Sequence, residues 1–184
     1  SLVFAGKGAE RNNILIDCFL EDEKDEKIFY SFNKLSPTNF KTKVDSLTTL
    51  KLKTFSDYVE NHPEVTSRFK NILKIALTYP IYSRIENYPI THTVTMKLDN
   101  FPKTDEKFYD FRKSININND SLIYYSPYSK YIRDYLYNAT YSLGHKPMIN
   151  EFSSDFTVDL LTTIDQEISS KETKNAFLKQ TTIT

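Results

Sequence analysis

Apolar residues recur every three or four positions between Ser36 and Tyr79, and this recurrence constrains the fold more than any other feature of the chain. Phe40, Val44, Leu47, Phe55 and Tyr58 form one stripe. Val65, Phe69, Ile72, Ala76 and Tyr79 form a second, widened by Leu73 and Leu77. Such spacing buries one helical face and leaves Lys41, Asp45, Lys51 and Asp57 to water. Ser36-Pro37 is a helix start. The serine oxygen accepts from a free backbone N–H, and proline at the first helical position has no N–H to waste. Pro63 ends this helix and opens the next. A short turn between two stripes predicts an antiparallel helical hairpin.

The same devices recur elsewhere. Ile14, Leu15, Cys18 and Phe19 fall at helical spacings between Glu10 and Glu21, and the charged run Glu21 to Lys27 reads as a solvated helix end or loop. Thr104 is placed to cap a helix carrying Phe108, Phe111 and Ile115, and Asn118-Asn119-Asp120 reads as a turn. Ser126-Pro127 opens a further helix that Gly144 stops. Asp155 begins another, with Phe156, Leu160, Leu161, Ile164 and Ile168 inward. Ser169-x-x-Glu172 has the form of a capping box before a last helix carrying Ala176 and Phe177.

Two stretches dissent. Pro80 and Pro89 bracket a region expected to bend or fray. From Ile90 to Leu98, Ile90, His92, Val94, Met96 and Leu98 alternate with Thr91, Thr93, Thr95 and Lys97, which predicts a strand or extended loop. Its one evident partner is Ser1 to Phe4, a short apolar run ending at Gly6-Lys7-Gly8. The fold predicted is all-α: an irregular bundle of about six helices from antiparallel hairpins, with room for a minor two-stranded β element. Residues 1–184 are read as a single helical domain.

Composition removes several functions. The 24 basic and 24 acidic residues cancel, and no basic stripe is interleaved with stacking aromatics, so nucleic acid is not an expected partner. The lone Cys18 permits no internal disulfide and no Cys-x-x-Cys pair, and it reads as a small buried hydrophobe. No apolar run approaches the ~18 residues of a membrane span. Ser1 to Phe4 is too short for a signal peptide, which leaves a removed signal open. Gly6-Lys7-Gly8 lacks the remaining residues of a phosphate-binding loop or dinucleotide loop and reads as a tight turn. His62, His92 and His145 lie far apart, without carboxylates at ligand spacing, so no metal site and no cofactor is expected. No nucleophile motif is present, and the segment reads as non-catalytic. An enzyme would need acids and bases gathered from distant positions.

Tyrosine is the unusual feature. Tyr124, Tyr125, Tyr128, Tyr131, Tyr135, Tyr137 and Tyr141 crowd around one helix. At 100° per residue, Tyr128, Tyr131, Ile132, Tyr135 and Leu136 share a broad face, while Tyr137 and Tyr141 lie opposite, one turn apart. One reading is a helix covered on both sides by its own domain, each hydroxyl reaching a polar partner. The other is an aromatic contact surface. Under it Tyr137 and Tyr141 are the candidate interface, and Tyr124, Tyr128, Tyr131 and Tyr135 the candidate pocket wall. Asn138-Ala139-Thr140 has the form of a glycosylation acceptor, but a mid-helix position argues against its use.

Several stretches together resemble a known family. Phe4-Ala5-Gly6-Lys7-Gly8-Ala9-Glu10-Arg11-Asn12-Asn13 is similar to the junction after the N-terminal β domain in TlpA-like thioredoxin-family (thiol:disulfide interchange) proteins of Gram-negative bacteria. Phe101-Pro102, Phe108-Tyr109-Asp110-Phe111 and Asn118 to Leu122 resemble a pattern of their helical middle region, and Tyr128 to Tyr141 the aromatic helix after it. The resemblance implies a non-catalytic helical segment that positions a thioredoxin-like domain of the same parent chain, or a protein client. It also implies a periplasmic or cell-surface lipoprotein setting, with residues 1–8 the remnant of an upstream β domain and the chain cut before the redox domain. The second function considered is a stand-alone binding module for a peptide, glycan or small molecule, using the Tyr-rich helix.

Overall fold

Six α-helices and two 3-10 segments make up the computed structural model, which describes residues 3–6, 8–147 and 153–183. The helices are α1 (Ala9–Phe32), α2 (Pro37–Asn61), α3 (Ser67–Met96), α4 (Ser126–Tyr141), α5 (Ser154–Glu167) and α6 (Lys171–Ile183). The 3-10 segments Glu106–Ser114 and Asp120–Leu122 lie between α3 and α4. No strand occurs among the described residues, and the irregular all-α bundle is the observed architecture.

Local chemistry sets the helix starts. The Ser36 hydroxyl accepts from the Asn39 N–H at 3.4 Å, with Pro37 in the first turn. The Thr66 hydroxyl, rather than Pro63, caps α3 through the Phe69 N–H at 3.2 Å. Ser153 caps α5 through the Phe156 N–H, so the helix begins at Ser154, one residue before the expected start. Asp105, not Thr104, caps the Glu106–Ser114 segment, which is 3-10 and kinked at Tyr109. α6 is capped from a distance. Asp120 Oδ1 accepts from the Thr173 N–H at 2.9 Å, from the Thr173 hydroxyl at 2.8 Å and from the Ser170 hydroxyl. Asn118 Oδ1 accepts from the N–H groups of Ser169 and Ser170 at 2.7 and 3.0 Å. The predicted 118–120 turn is therefore the clasp that starts α6.

Ring pairs give the helix directions. Phe40, early in α2, stacks on Tyr88, late in α3, at 4.0 Å, while Tyr58 and Phe69 meet at 6.1 Å, so α2 and α3 are antiparallel. α1 runs parallel to α3: Arg11 lies over Phe69, Asp22 pairs with Arg84, and His92 Nδ1 meets the Asn33 carbonyl at 2.8 Å. α4 also runs parallel to α3. Tyr79 meets Tyr128 at 6.1 Å, and farther along Asn138 donates to Glu86 at 2.7 Å. A parallel neighbour demands a long return, and residues 97–125 supply it. They carry Phe108 onto Phe40 and Tyr88, and Phe111 onto Tyr82 at 4.6 Å. α5 turns back along α4, with Thr140 hydrogen-bonded to Thr163 at 3.2 Å and Tyr135 to Glu167 at 2.6 Å. Phe40, Tyr88, Phe108, Tyr128 and Phe156 are fully buried. Each burial of this kind contributes about 1.5–3 kcal/mol.

Three expectations are corrected. Ile90 to Leu98 is not a strand: α3 continues to Met96 and closes on Lys97 in the left-handed region (φ 54°). Thr91 and Thr93 return their hydroxyls to the Asn87 and Pro89 carbonyls at 2.9 and 2.7 Å, a helical habit. Burial falls on the adjacent pair His92 and Thr93, not on alternate residues. The proposed strand partner is also lost. Ser1 and Leu2 lie outside the described residues, and the Phe4 backbone is held instead by the Asn13 carboxamide, at 2.8 and 3.2 Å. Pro80 and Pro89 do not break α3. A proline inside an isolated helix costs about 3 kcal/mol, but Ile81, Ile85 and Tyr88 are packed on three neighbours and hold the helix through it. The Glu21 to Lys27 run is helical throughout, its inner carboxylates drawn to Lys51 (Glu21 at 2.8 Å, Asp25 at 3.0 Å).

Candidate functional site

Glu86 stands in the middle of α3, 1 % exposed, among inward residues that are mostly apolar. An isolated buried carboxylate is costly, so its partners matter. Arg112, brought over by the return segment, donates Nε to Oε1 at 2.8 Å and Nη2 to Oε2. Asn138 of α4 donates Nδ2 to Oε2 at 2.7 Å, and the Tyr131 hydroxyl reaches Oε1 at 3.4 Å. Both oxygens are thus satisfied. Arg112 is layered between aromatic rings, its guanidinium carbon 4.0 Å from the Tyr109 centroid and 4.9 Å from that of Tyr135. Burial opposes the guanidinium charge, but the hydrogen bonds and charge of Glu86 hold its pKa above the ordinary value. Burial also raises the Tyr109 phenol, as does Glu86, while hydrogen bonding to Asn138 and Thr104 and the Arg112 charge pull it back.

Beside Glu86 and Asn138, both in its lining, opens a cleft of about 720 Å³. Its aromatic lining is Phe101, Tyr109, Tyr137 and Tyr141, and Asn87, Asn100, Thr104 and Ser142 bring amides and hydroxyls. The Phe101 and Tyr141 rings meet edge to face at 5.4 Å. The turn after α4 contributes His145, whose Nε2 lies 2.8 Å from Asp159 Oδ2 on α5. The folded chain so supplies a carboxylate partner to a histidine that lacks one at nearby positions in the sequence.

The tyrosines divide sharply. Tyr128 and Tyr131 are 0 % and 1 % exposed, packed among Tyr79, Tyr82 and Phe111. The Tyr128 hydroxyl donates to the Asn116 carbonyl and accepts from the Asn119 N–H, both at 2.9 Å. Tyr135 is half-buried and donates to Glu167, and Tyr124 is 95 % exposed. None of these four is in the cleft lining. Tyr137 and Tyr141, from the opposite face, do line it; Tyr141 is 6 % exposed and Tyr137 half-buried. Tyr137 also borders a second slot of about 440 Å³ between α4, α5 and α6. Asn138 and Thr140 of the glycosylation-like triplet are buried and hydrogen-bonded.

Sequence reasoning missed Glu86, Arg112, Phe101 and the His145–Asp159 pair. The available signal was the register of Glu86, which shares the inward side of α3 with Ile85 and Thr93. Among the described residues no group of three or more His, Cys, Asp or Glu side chains is gathered for a metal, and no helix is long and apolar enough to cross a membrane.

Fold and site together define an all-α domain with an aromatic, amide-rich cleft whose lining includes a buried, fully paired carboxylate. No family model, no curated protein and no solved structure matches the chain.

Proposed function

We propose that this protein is a binding module whose ligand occupies the cleft between the end of α3, the start of the return segment and the end of α4. The observation that carries this is the lining: four aromatic rings, several amides and hydroxyls, and the charged Asp99 and Lys146 converge on a space of about 720 Å³. Binding sites for small ligands combine such apolar walls with a few placed polar groups, in the range of about 300–1,000 Å³. Glu86 lies in the lining with both carboxylate oxygens already occupied by Arg112, Asn138 and Tyr131, which fixes that part of the wall. A fragment-library screen by NMR on the isotopically labelled chain tests the proposal. Shift changes should gather at Asn87, Phe101 and Tyr141 and disappear in Asn100→Trp, which fills the mouth from an exposed position. Hits scattered over the surface and unaffected by that substitution would refute it.

A second role has its own observation. Phe19 and Tyr30 of α1 are both exposed, and eleven residues of helix bring them within about 20° of each other. An attached thioredoxin-like domain, or a protein client in a periplasmic or cell-surface setting, would cover this line, and the module would then position that partner. Phe19→Ser with Tyr30→Ser should release such a partner without lowering thermal stability. Unchanged association would reject the role.

A further inference from the structure

We infer that the cleft takes a zwitterionic ligand, a short peptide with both ends free, whose ammonium is met by Asp99 and whose carboxylate is met by Lys146. The inference rests on the cleft being a binding site and adds the ligand's chemistry. Topology brings the two charges to one place. α4 runs parallel to α3, so the segment that leaves α3 after Met96 and the turn that leaves α4 after Tyr141 emerge at the same end of the bundle. The first carries Asp99 and Asn100 to the cleft, and the second carries His145 and Lys146.

Both charges are open to a ligand. Asp99 and Lys146 are exposed, and no ion pair joins either to another described residue. The other titratable groups of the lining are committed within the fold: Glu86 to Arg112 and Asn138, and His145 to Asp159. A ligand of one sign would be attracted by one of the two open charges and repelled by the other, whereas a ligand of both signs finds two partners. The helix ends add a bias. α3 and α4 both finish at the cleft, and the carbonyls of a last helical turn carry partial negative charge, which favours the ammonium. The lining also holds Asn87 and Asn100, whose carboxamides make no side-chain hydrogen bond among the described residues. A carboxamide donates and accepts, and so complements a peptide unit, which a peptide carries between its charged ends and a single amino acid lacks. Tyr137 and Tyr141 lean on Phe156, with centroids 6.0 and 4.7 Å away, and shape the wall without stacking on the ligand.

The test titrates trialanine, N-acetyl-trialanine and trialanine amide into the isotopically labelled full chain at about pH 6.5, where a free amine is protonated and a free carboxyl ionised. The proteins are wild type, Asp99→Asn and Lys146→Gln, and both substitutions fall on exposed side chains. Trialanine should give saturable shifts at Asn87 and Phe101, weakened about fivefold by either substitution, the loss of one solvent-screened charge pair. The acetylated peptide, which has no ammonium, should bind wild type more weakly, ignore Asp99→Asn and still respond to Lys146→Gln. The amide, which has no carboxylate, should show the reverse. Blocked peptides that bind as tightly as trialanine overturn the inference, and so do losses that do not follow this crossed pattern. Trialanine shifts that map elsewhere, or no shifts at all, also overturn it. If a screening fragment then binds in the cleft, only the peptide assignment has failed. If the fragments too are silent, the binding-module proposal falls with it.

Discussion

Arg112 lays its guanidinium along the Glu86 carboxylate, Nε to Oε1 at 2.8 Å, and so ties the return segment to the centre of α3. Breaking a buried pair leaves the surviving charge without compensation. Arg112→Leu, which strands the buried Glu86, should destabilise the domain by about 3 kcal/mol, and Glu86→Leu by less, because the half-buried Arg112 already reaches water. The double substitution should be milder than the sum, because no charge remains unpaired. Urea unfolding of the four proteins measures the coupling, and strictly additive losses would show that the pair contributes nothing as a pair.

Asp120 starts α6 from another part of the chain. The hydroxyls of Ser170 and Thr173 hold its carboxyl below the ordinary value of 3.8. A depressed folded value means that the stabilisation is complete above 3.8 and is lost as the pH falls through the lower folded value. Asp120→Ala should therefore speed amide exchange in residues 171–178 at neutral pH while leaving α1 to α3 unchanged. In wild type, acidification should loosen α6 before the α2–α3 hairpin.

Burial pushes the phenols of Tyr79, Tyr88 and Tyr125 up from 10.0 to about 12. Their contribution to stability is whole below pH 10 and is lost as the pH rises toward 12, because the unfolded chain releases these protons first. Chemical denaturation at pH 8, 10 and 11 should show falling stability across the last two steps. Absorbance at 295 nm should show a set of tyrosines that ionises together with unfolding.

Burial, reinforced by the charge of Glu21, pushes the Cys18 thiol from 9.0 to about 12. At pH 8 a thiol-specific disulfide reagent should leave the native protein untouched and label it fully in denaturant. Rapid labelling of the folded chain would show that α1 opens from α3.

The legibility of the sequence follows a physical line. Ser36-Pro37 and the stripe Phe40-Val44-Leu47 specify α2 locally, because cap and periodicity agree. Ile90 to Leu98 misleads because the alternation of β-branched residues is a weak preference. Anchors outside the segment decide it: His92 on Asn33, and Tyr88 on the Leu35 carbonyl at 2.7 Å. The parallel course of α3 and α4 is also set at a distance, by Phe111 on Tyr82 and Asn138 on Glu86. The cleft was half visible. Helical geometry separated Tyr137 and Tyr141 from Tyr128 and Tyr131, but which face meets the core depends on α3, α5 and the return segment. Asp159 joins His145 only when α5 folds back onto α4.

Fluorotyrosine labelling followed by 19F NMR during titration with a cleft ligand is the most direct examination of the central claim. The resonances of Tyr109, Tyr137 and Tyr141 should move together and saturate, while that of Tyr124, out in solvent, stays fixed. Movement of Tyr124 or Tyr30 with the three cleft tyrosines unmoved would contradict it.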